Sequence, residues 1–186
     1  MRSPLLAMTL LAAFATHPAR AAENEFQITP RAGTGDLRIN AFEGVNDQLV
    51  DSDTLGLGCA FGYLTPIGIL AEIGADSYGQ WDLFDAFDSF SLSQRFVAVG
   101  YQFELGNGWR FVPKAGRARW KLHSDEGRLF HPGPEAENEV RGYGYYWEAS
   151  VSRRISRVVA LGVTYKQGNY DFGRSRTTAF LVTLGF

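Results

Sequence analysis

Three residues of this sequence carry the side chains that nucleophilic catalysis uses. Asp76 and Ser77 are adjacent, and His123 follows much later in the chain. A serine nucleophile needs a histidine base and an orienting carboxylate within hydrogen-bond reach, an arrangement that performs acyl transfer or hydrolysis. Whether these side chains meet depends on the elements that carry them. Otherwise they are ordinary polar residues at the ends of strands.

Other reactive or metal-ligating groups are few. Cys59 is the single cysteine, so a disulfide within the chain and a cysteine-based metal site are both excluded. His131 precedes Pro132 and has no second histidine or cysteine to share a site, which favours a loop residue over a metal ligand. The sequence therefore predicts no metal and no cofactor.

The first residues have the pattern of an export signal. Arg2 is followed by an apolar run and then by the small-x-small pattern Ala19-Arg20-Ala21. We therefore predict a secretory signal peptide over residues 1–21 and one mature domain over 22–186. Removing the signal leaves 16 of the 18 basic residues against all 20 acidic ones, a net charge of −4. Such a chain has no basic face for a nucleic-acid partner.

The mature sequence alternates between apolar and small or polar residues, which is the pattern of strands with two different faces. The last strand carries Phe180, Val182, Leu184 and Phe186 on one face, and the chain ends on that aromatic residue. The eight strands predicted from this alternation are 26–33, 55–63, 69–76, 96–104, 109–123, 143–152, 159–166 and 177–186. Pro30 argues against a central position for the first of them, because proline cannot donate to a neighbouring strand.

Long and short connections alternate between these strands. The acidic segments 38–53, 79–89 and 124–139 are long, 171–175 is a modest loop, and the turns 65–68, 106–108 and 154–157 are short. Outer-membrane barrels have short periplasmic turns and long extracellular loops. We therefore predict an all-β fold, an eight-stranded antiparallel up-and-down transmembrane β-barrel with both termini on the periplasmic side.

The polar faces of the strands would then point into the lumen. Their predicted charge network contains three acids and three bases: Arg31, Glu72, Glu104, Lys114, Glu148 and Lys166. An eight-stranded barrel is just wide enough for side chains to fill, so these charges should neutralise one another. Strict alternation also places Arg117 and Arg119 on the lipid face of the fifth strand, where a bulge or an interfacial position would be needed.

The whole mature chain resembles the small eight-stranded outer-membrane barrels typified by the OmpA transmembrane domain and OmpX. The resemblance rests on the signal peptide, the amphipathic strands, the second strand LGLGCAFGY, the hairpin GYQFELGNGWRFVPKAG and the terminal LVTLGF. It implies a location in the bacterial outer membrane, contact with its lipid and lipopolysaccharide, and recognition by the barrel assembly machinery. In that family the terminal aromatic strand is the assembly signal, which falls here on Phe180, Val182, Leu184 and Phe186.

The expected function is a structural, adhesive or surface-interaction role through the acidic loops, without catalysis and with an unknown loop partner. Three alternatives stay open at this point. The first is a lipid-A acyltransferase or deacylase that uses Ser77, His123 and Asp76, although the third and fifth strands are not neighbours. The second is a narrow gated pore. The third is a soluble periplasmic lipocalin-like barrel, which would turn its apolar faces inward around a ligand.

Overall fold

The computed structural model describes residues 24–39, 50–79, 90–124 and 139–186. Their secondary structure is one antiparallel sheet made of β1 (Glu25–Ile39), β2 (Val50–Leu64), β3 (Ile69–Gly79), β4 (Phe90–Tyr101), β5 (Phe103–Gly106), β6 (Trp109–Ser124), β7 (Glu139–Arg154), β8 (Val159–Tyr170) and β9 (Gly173–Gly185). In these residues no helix is long and apolar enough to cross a membrane. The predicted signal peptide lies outside the described ranges.

The sheet closes on itself into a barrel. β1 to β4 pair in sequence order, as do β6 to β9, β1 pairs with β9, and β4 and β5 both pair with β6. β4 and β5 are thus one barrel strand interrupted at Gln102, whose backbone N–H donates instead to the Gly68 carbonyl at 2.8 Å. The closed eight-stranded antiparallel barrel predicted from the sequence is confirmed.

The bulky apolar side chains point outward. Phe61, Ile73, Val97 and Phe180 are 58 to 76% exposed, while their sequence neighbours on the inner face are buried or partly buried. This arrangement is the reverse of a soluble lipocalin-like barrel, which keeps its apolar face inside. Hydrocarbon is the solvent that matches such an outer wall.

β6 keeps strict alternation. Its register with β7 is unbroken from Trp109 to His123, so no bulge displaces the side chains between them. Arg117 and Arg119 are both exposed on the outer wall. The Arg117 guanidinium lies 4.8 Å from the centre of the Tyr143 ring and 5.7 Å from that of Tyr145, so aromatic faces accommodate its charge.

Several strands run further toward the long connections than the sequence predicted. β1 continues to Ile39 and β2 begins at Val50, where a loop over 38–53 was expected, and β7 and β9 begin at Glu139 and Gly173. The added residues are mainly polar, but backbone pairing does not depend on side-chain polarity. Alternation of apolar residues reports only the part of each strand that needs an apolar face.

The short connections are tight turns. Gly106, Asn107 and Gly108 have φ values of 87°, 53° and 79°, a left-handed backbone that glycine and asparagine tolerate best. The turn before β8 occupies 155–158, one residue later than predicted. Tyr170 and Gly173 pair directly across the last hairpin, which is therefore shorter than the predicted loop over 171–175.

β9 closes the barrel against β1. The last residue, Phe186, exchanges two backbone hydrogen bonds with Phe26, at 2.9 and 3.1 Å. The ladder between β1 and β9 skips Thr29 and Pro30, whereas the ladder between β1 and β2 runs through them unbroken. Proline has no N–H to donate, so its missing bond interrupts one ladder only.

The narrow interior gives a test of the inward faces. A Cβ atom at Gly74 would meet the Phe96 ring and the Cys59 carbonyl, whereas Ala71, on the same strand, is exposed on the outer wall. We expect Gly74→Val to lower the free energy of unfolding by about 1–3 kcal/mol, as overpacking does. Ala71→Val should change it little. Urea unfolding of the refolded protein in detergent measures both variants, and equal effects would contradict the inward assignment of Gly74.

Candidate functional site

The inner wall brings six charged side chains together at mid-height of the lumen. We call this set the lumen cluster: Arg31, Glu72, Asp76, Lys114, Glu148 and Lys166, contributed by β1, β3, β6, β7 and β8. Each of these residues is at most 8% exposed. Three cations therefore face three anions, and the cluster is neutral as a whole.

Two acids join most of the cluster. The Glu148 carboxylate accepts from Arg31 Nη1 at 2.9 Å and from Lys114 Nζ at 2.9 Å. The Asp76 carboxylate accepts from Arg31 Nε at 2.8 Å and from Lys166 Nζ at 2.7 Å. Arg31 thus connects two carboxylates across the lumen, and no cation or anion of the cluster is left without a partner of opposite charge.

Glu72 and two hydroxyl groups complete the cluster. Lys114 Nζ also donates to Glu72 at 2.7 Å. The Thr164 hydroxyl donates to Glu148 at 2.9 Å, and the Tyr78 hydroxyl donates to Asp76 at 3.2 Å. These bonds use lone pairs that the cations leave unpaired, which a buried carboxylate requires.

Glycines let the charged side chains reach each other across the strands. Gly58 pairs with Arg31 on one side and with Asp76 on the other, and a Cβ atom at Gly58 would meet the Asp76 carboxylate. Gly100 lies opposite Lys114 in the same way, where a Cβ atom would meet the lysine stem. Because the inward glycines have no side chains, they leave the space that the long charged side chains occupy.

The lumen cluster differs from the predicted charge network by one residue. Glu104 lies at the short-turn end of the barrel, where its carboxylate is 3.1 Å from Arg110 Nε, and it contacts none of the lumen cluster. Asp76, which the sequence assigned to a possible catalytic site, takes the third acidic position. The predicted end of the third strand concealed this, because β3 continues past Asp76 to Gly79 and keeps Asp76 inside the barrel.

Aromatic rings cover the lumen cluster on the side of the long connections. The centre of the Phe96 ring lies 4.7 Å from both the Arg31 guanidinium carbon and Lys166 Nζ, and the centre of the Tyr146 ring lies 4.2 Å from Lys166 Nζ. Further toward that end, Trp120 and Phe172 pack edge to face, with ring centres 4.6 Å apart. These contacts combine cation–π attraction with exclusion of water.

Phe172 is the residue of this layer that the sequence did not single out. It lies in the hairpin between β8 and β9, is completely buried, and stacks on Tyr170 at 5.1 Å. A residue in a turn carries no alternation signal, so only the fold reveals that its ring points into the barrel. The void beside Arg31, Asp76 and Lys166 measures about 10 Å³, no more than one water molecule needs.

The three candidate catalytic residues do not form one site. Asp76 points inward and Ser77 points outward, because neighbouring residues of a strand face opposite sides. His123 lies on β6, and β4 separates it from Ser77 on β3. In the described ranges, no three His, Cys, Asp or Glu side chains are grouped so as to hold a metal ion. His131 and most of the acidic connections lie outside these ranges.

The residues of the expected assembly signal lie along the outer wall. Phe180, Val182 and Phe186 are 76%, 37% and 69% exposed, and Leu184 is partly buried. Cys59 is also partly buried on the outer face of β2. These side chains join the apolar surface that the barrel presents to its surroundings.

Solved structures with the same architecture identify the fold. The Neisserial surface protein A superposes with a TM-score of 0.67 at 12% sequence identity, over 87% of this chain and 97% of that one. The fold is that of small outer-membrane barrels. Ail, the attachment invasion locus protein of Yersinia pestis, was solved with the heparin analogue sucrose octasulfate. It superposes with a TM-score of 0.60 at 12% identity, over 88% and 99% of the two chains.

The N-terminal β-barrel domain of Pseudomonas aeruginosa OprF superposes on this barrel with a TM-score of 0.54. It is 12% identical, and the match covers 88% of this chain and 98% of that domain. No protein-family model matches the sequence, and no curated protein matches it. The shared architecture is thus carried by strand pattern and closure, with little sequence in common.

The lumen cluster gives a prediction about stability. Glu148→Gln removes a carboxylate that neutralises Arg31 and Lys114, so two buried cations lose a partner. We expect the free energy of unfolding to fall by about 3–5 kcal/mol. Asp171→Asn, in the exposed β8–β9 turn, is the matched control and should change it by no more than about 0.5 kcal/mol. Denaturant unfolding in detergent measures both, and equal losses would show that the cluster does not stabilise the barrel.

Proposed function

We propose that this chain is a non-catalytic, non-conducting barrel of the bacterial outer membrane whose long connections interact with partners at the cell surface. The observation that carries the proposal is the lumen: a neutral ion-pair cluster under a layer of aromatic rings fills the space that a channel would need. A barrel filled in this way leaves interaction to the surfaces outside its lumen.

The outer wall supports a location in lipid. Large apolar side chains are exposed on every strand of the barrel, including Phe26, Phe61, Val99 and Leu161. We propose that residues 1–21 direct export through the inner membrane and are removed, that residues 22–186 insert as one barrel, and that lipid and lipopolysaccharide surround it. A carbonate wash without detergent should leave the protein in the membrane fraction, and its extraction by that wash would exclude this location.

The long connections support a surface role. The segments 40–49, 80–89 and 125–138 all leave the barrel at the same end, and they contain nine acidic residues and one basic residue. This excess of negative charge favours a basic partner or a divalent cation over a polyanion. Two proteins of the same fold are described as a surface protein and an attachment invasion protein, which agrees with an adhesive or interaction role.

The closed lumen predicts the electrical behaviour of the protein. Refolded protein in a planar bilayer should carry little or no steady current, because an ion would have to displace buried ion pairs and aromatic rings. A reproducible steady conductance would contradict the proposal. It would favour the narrow gated pore instead.

The absence of catalysis is tested separately. Lipid A extracted from cells with and without the protein should have the same mass profile. A mass change that depends on the protein and disappears in Ser77→Ala would instead favour a lipid-A acyltransferase or deacylase.

The assembly role of the last strand can be separated from its structural role. Phe186 and Phe26 are similarly exposed, at 69% and 64%, and are joined by backbone hydrogen bonds that an alanine substitution keeps. We propose that Phe180, Val182, Leu184 and Phe186 are read by the barrel assembly machinery. Phe186→Ala should then reduce the amount of folded protein in the outer membrane more than Phe26→Ala does. Equal yields of heat-modifiable protein would contradict it.

A further inference from the structure

Five cations lie together on the outer wall, on the three adjacent strands β4, β6 and β7. We call them the outer basic patch: Arg95, Arg117, Arg119, Lys121 and Arg141. Arg95 pairs with Arg119 across β4 and β6, and Lys121 pairs with Arg141 across β6 and β7. Like charges directly opposite each other on one face of a sheet destabilise it, so the Arg95–Arg119 pair favours an anion beside it.

Arginines 95 and 119 are the strongest indication of a ligand. Both are exposed, and in the described part of the chain neither forms an ion pair with a carboxylate. The outward residues beside them on β3 and β4 are uncharged, among them Ala75, Ser77 and Ser93. The described residues therefore supply no carboxylate to this arginine pair.

The patch borders a groove in the outer wall. The groove has a volume of about 640 Å³, and its lining includes four cations of the patch, Leu57 and the small residues Ala75, Ser77 and Ser93. Asp76, Gln94 and Trp120 also border it, but they are buried and their side chains belong to the inner face. An apolar wall begins immediately toward the short-turn end, where Val97 and Val99 are 59% and 61% exposed. The groove thus adjoins both a charged and an apolar surface.

These features match one kind of occupant. A lipid of the outer leaflet has an anionic head group directly above its acyl chains, and arginine binds phosphate oxygens with two parallel hydrogen bonds. Arg117 stacks on Tyr143 and Tyr145, and such aromatic residues lie at the level of lipid head groups. The long connections, which define the extracellular end, leave the strands on the same side of the apolar wall as the patch.

We propose that the outer basic patch binds the phosphate groups of an outer-leaflet lipid, whose acyl chains lie against the apolar wall below. The proposal rests on the outer-membrane location proposed above and adds a site to it. Arg95 and Arg119 bind the phosphate, and the small residues of the groove make room for the head group. The lipid supplies the negative charge that the like-charged pair requires.

The short-turn end provides a matched control. Arg153 and Arg157 are also exposed cations, and Arg153 already lies 5.9 Å from the centre of the Trp109 ring. The double variant Arg153→Gln/Arg157→Gln removes the same charge as Arg95→Gln/Arg119→Gln. Neither pair belongs to the lumen cluster, so both double variants should still show heat-modifiable migration, which reports folding separately from lipid binding.

The test measures lipid retained by the refolded, detergent-solubilised protein in native mass spectrometry, with diphosphoryl lipid A and its monophosphoryl form as probes. Wild-type protein and the Arg153/Arg157 variant should retain diphosphoryl lipid A in preference to the monophosphoryl form. The amount of diphosphoryl lipid A retained by the Arg95/Arg119 variant should be lower by a factor of about ten or more.

Three results would overturn the proposal: equal retention by both double variants, no preference of the wild-type protein for the second phosphate, or full displacement by inorganic phosphate at the same concentration. The wild-type comparison does not depend on the folding of any variant. Failure of the protein to migrate as a folded barrel in detergent would instead argue against the proposed membrane location, so the two failures can be told apart.

Discussion

Charge balance inside a narrow barrel is the constraint on which the rest of this structure depends. Eight strands enclose a lumen that only side chains can fill, and a charge without a partner there would be strongly destabilising. Arg31 meets this constraint by joining Asp76 to Glu148 across the lumen, while Lys114 and Lys166 neutralise the remaining carboxylate oxygens. The barrel is held from the inside by ion pairs and not by an apolar core alone.

The same constraint explains the contrast between the two faces of each strand. Long charged and aromatic side chains fill the interior only because residues such as Gly58, Gly74 and Gly100 have no side chain of their own. The outer face has no such limit, so Phe61, Ile73 and similar residues extend freely from it. Small residues on the inner face and large apolar residues on the outer face are therefore one consequence of enclosing a filled lumen in lipid.

Surface chemistry is concentrated at one end of the barrel. The acidic connections leave there, and the outer basic patch lies between them and the apolar wall. The two features have opposite charge and different expected partners: the connections are acidic in sequence, whereas Arg95 and Arg119 are exposed on the wall itself. In the proposed arrangement, phosphate bound at the wall anchors the barrel while the connections remain available to a partner outside the cell.

Alternation by itself determined which side chains face the lumen, because side-chain direction in a strand is a local property with a period of two. It also gave the number of strands and the antiparallel order, since short turns between amphipathic strands leave few other topologies. It could not tell how the inward charges pair, because that depends on register and on height within the lumen. Only the tertiary structure placed Glu104 beside Arg110, brought Asp76 to Arg31 across Gly58, and turned Phe172 into the barrel. Each of these contacts joins residues from different strands or from a turn, where the pattern of the sequence carries no information about distance.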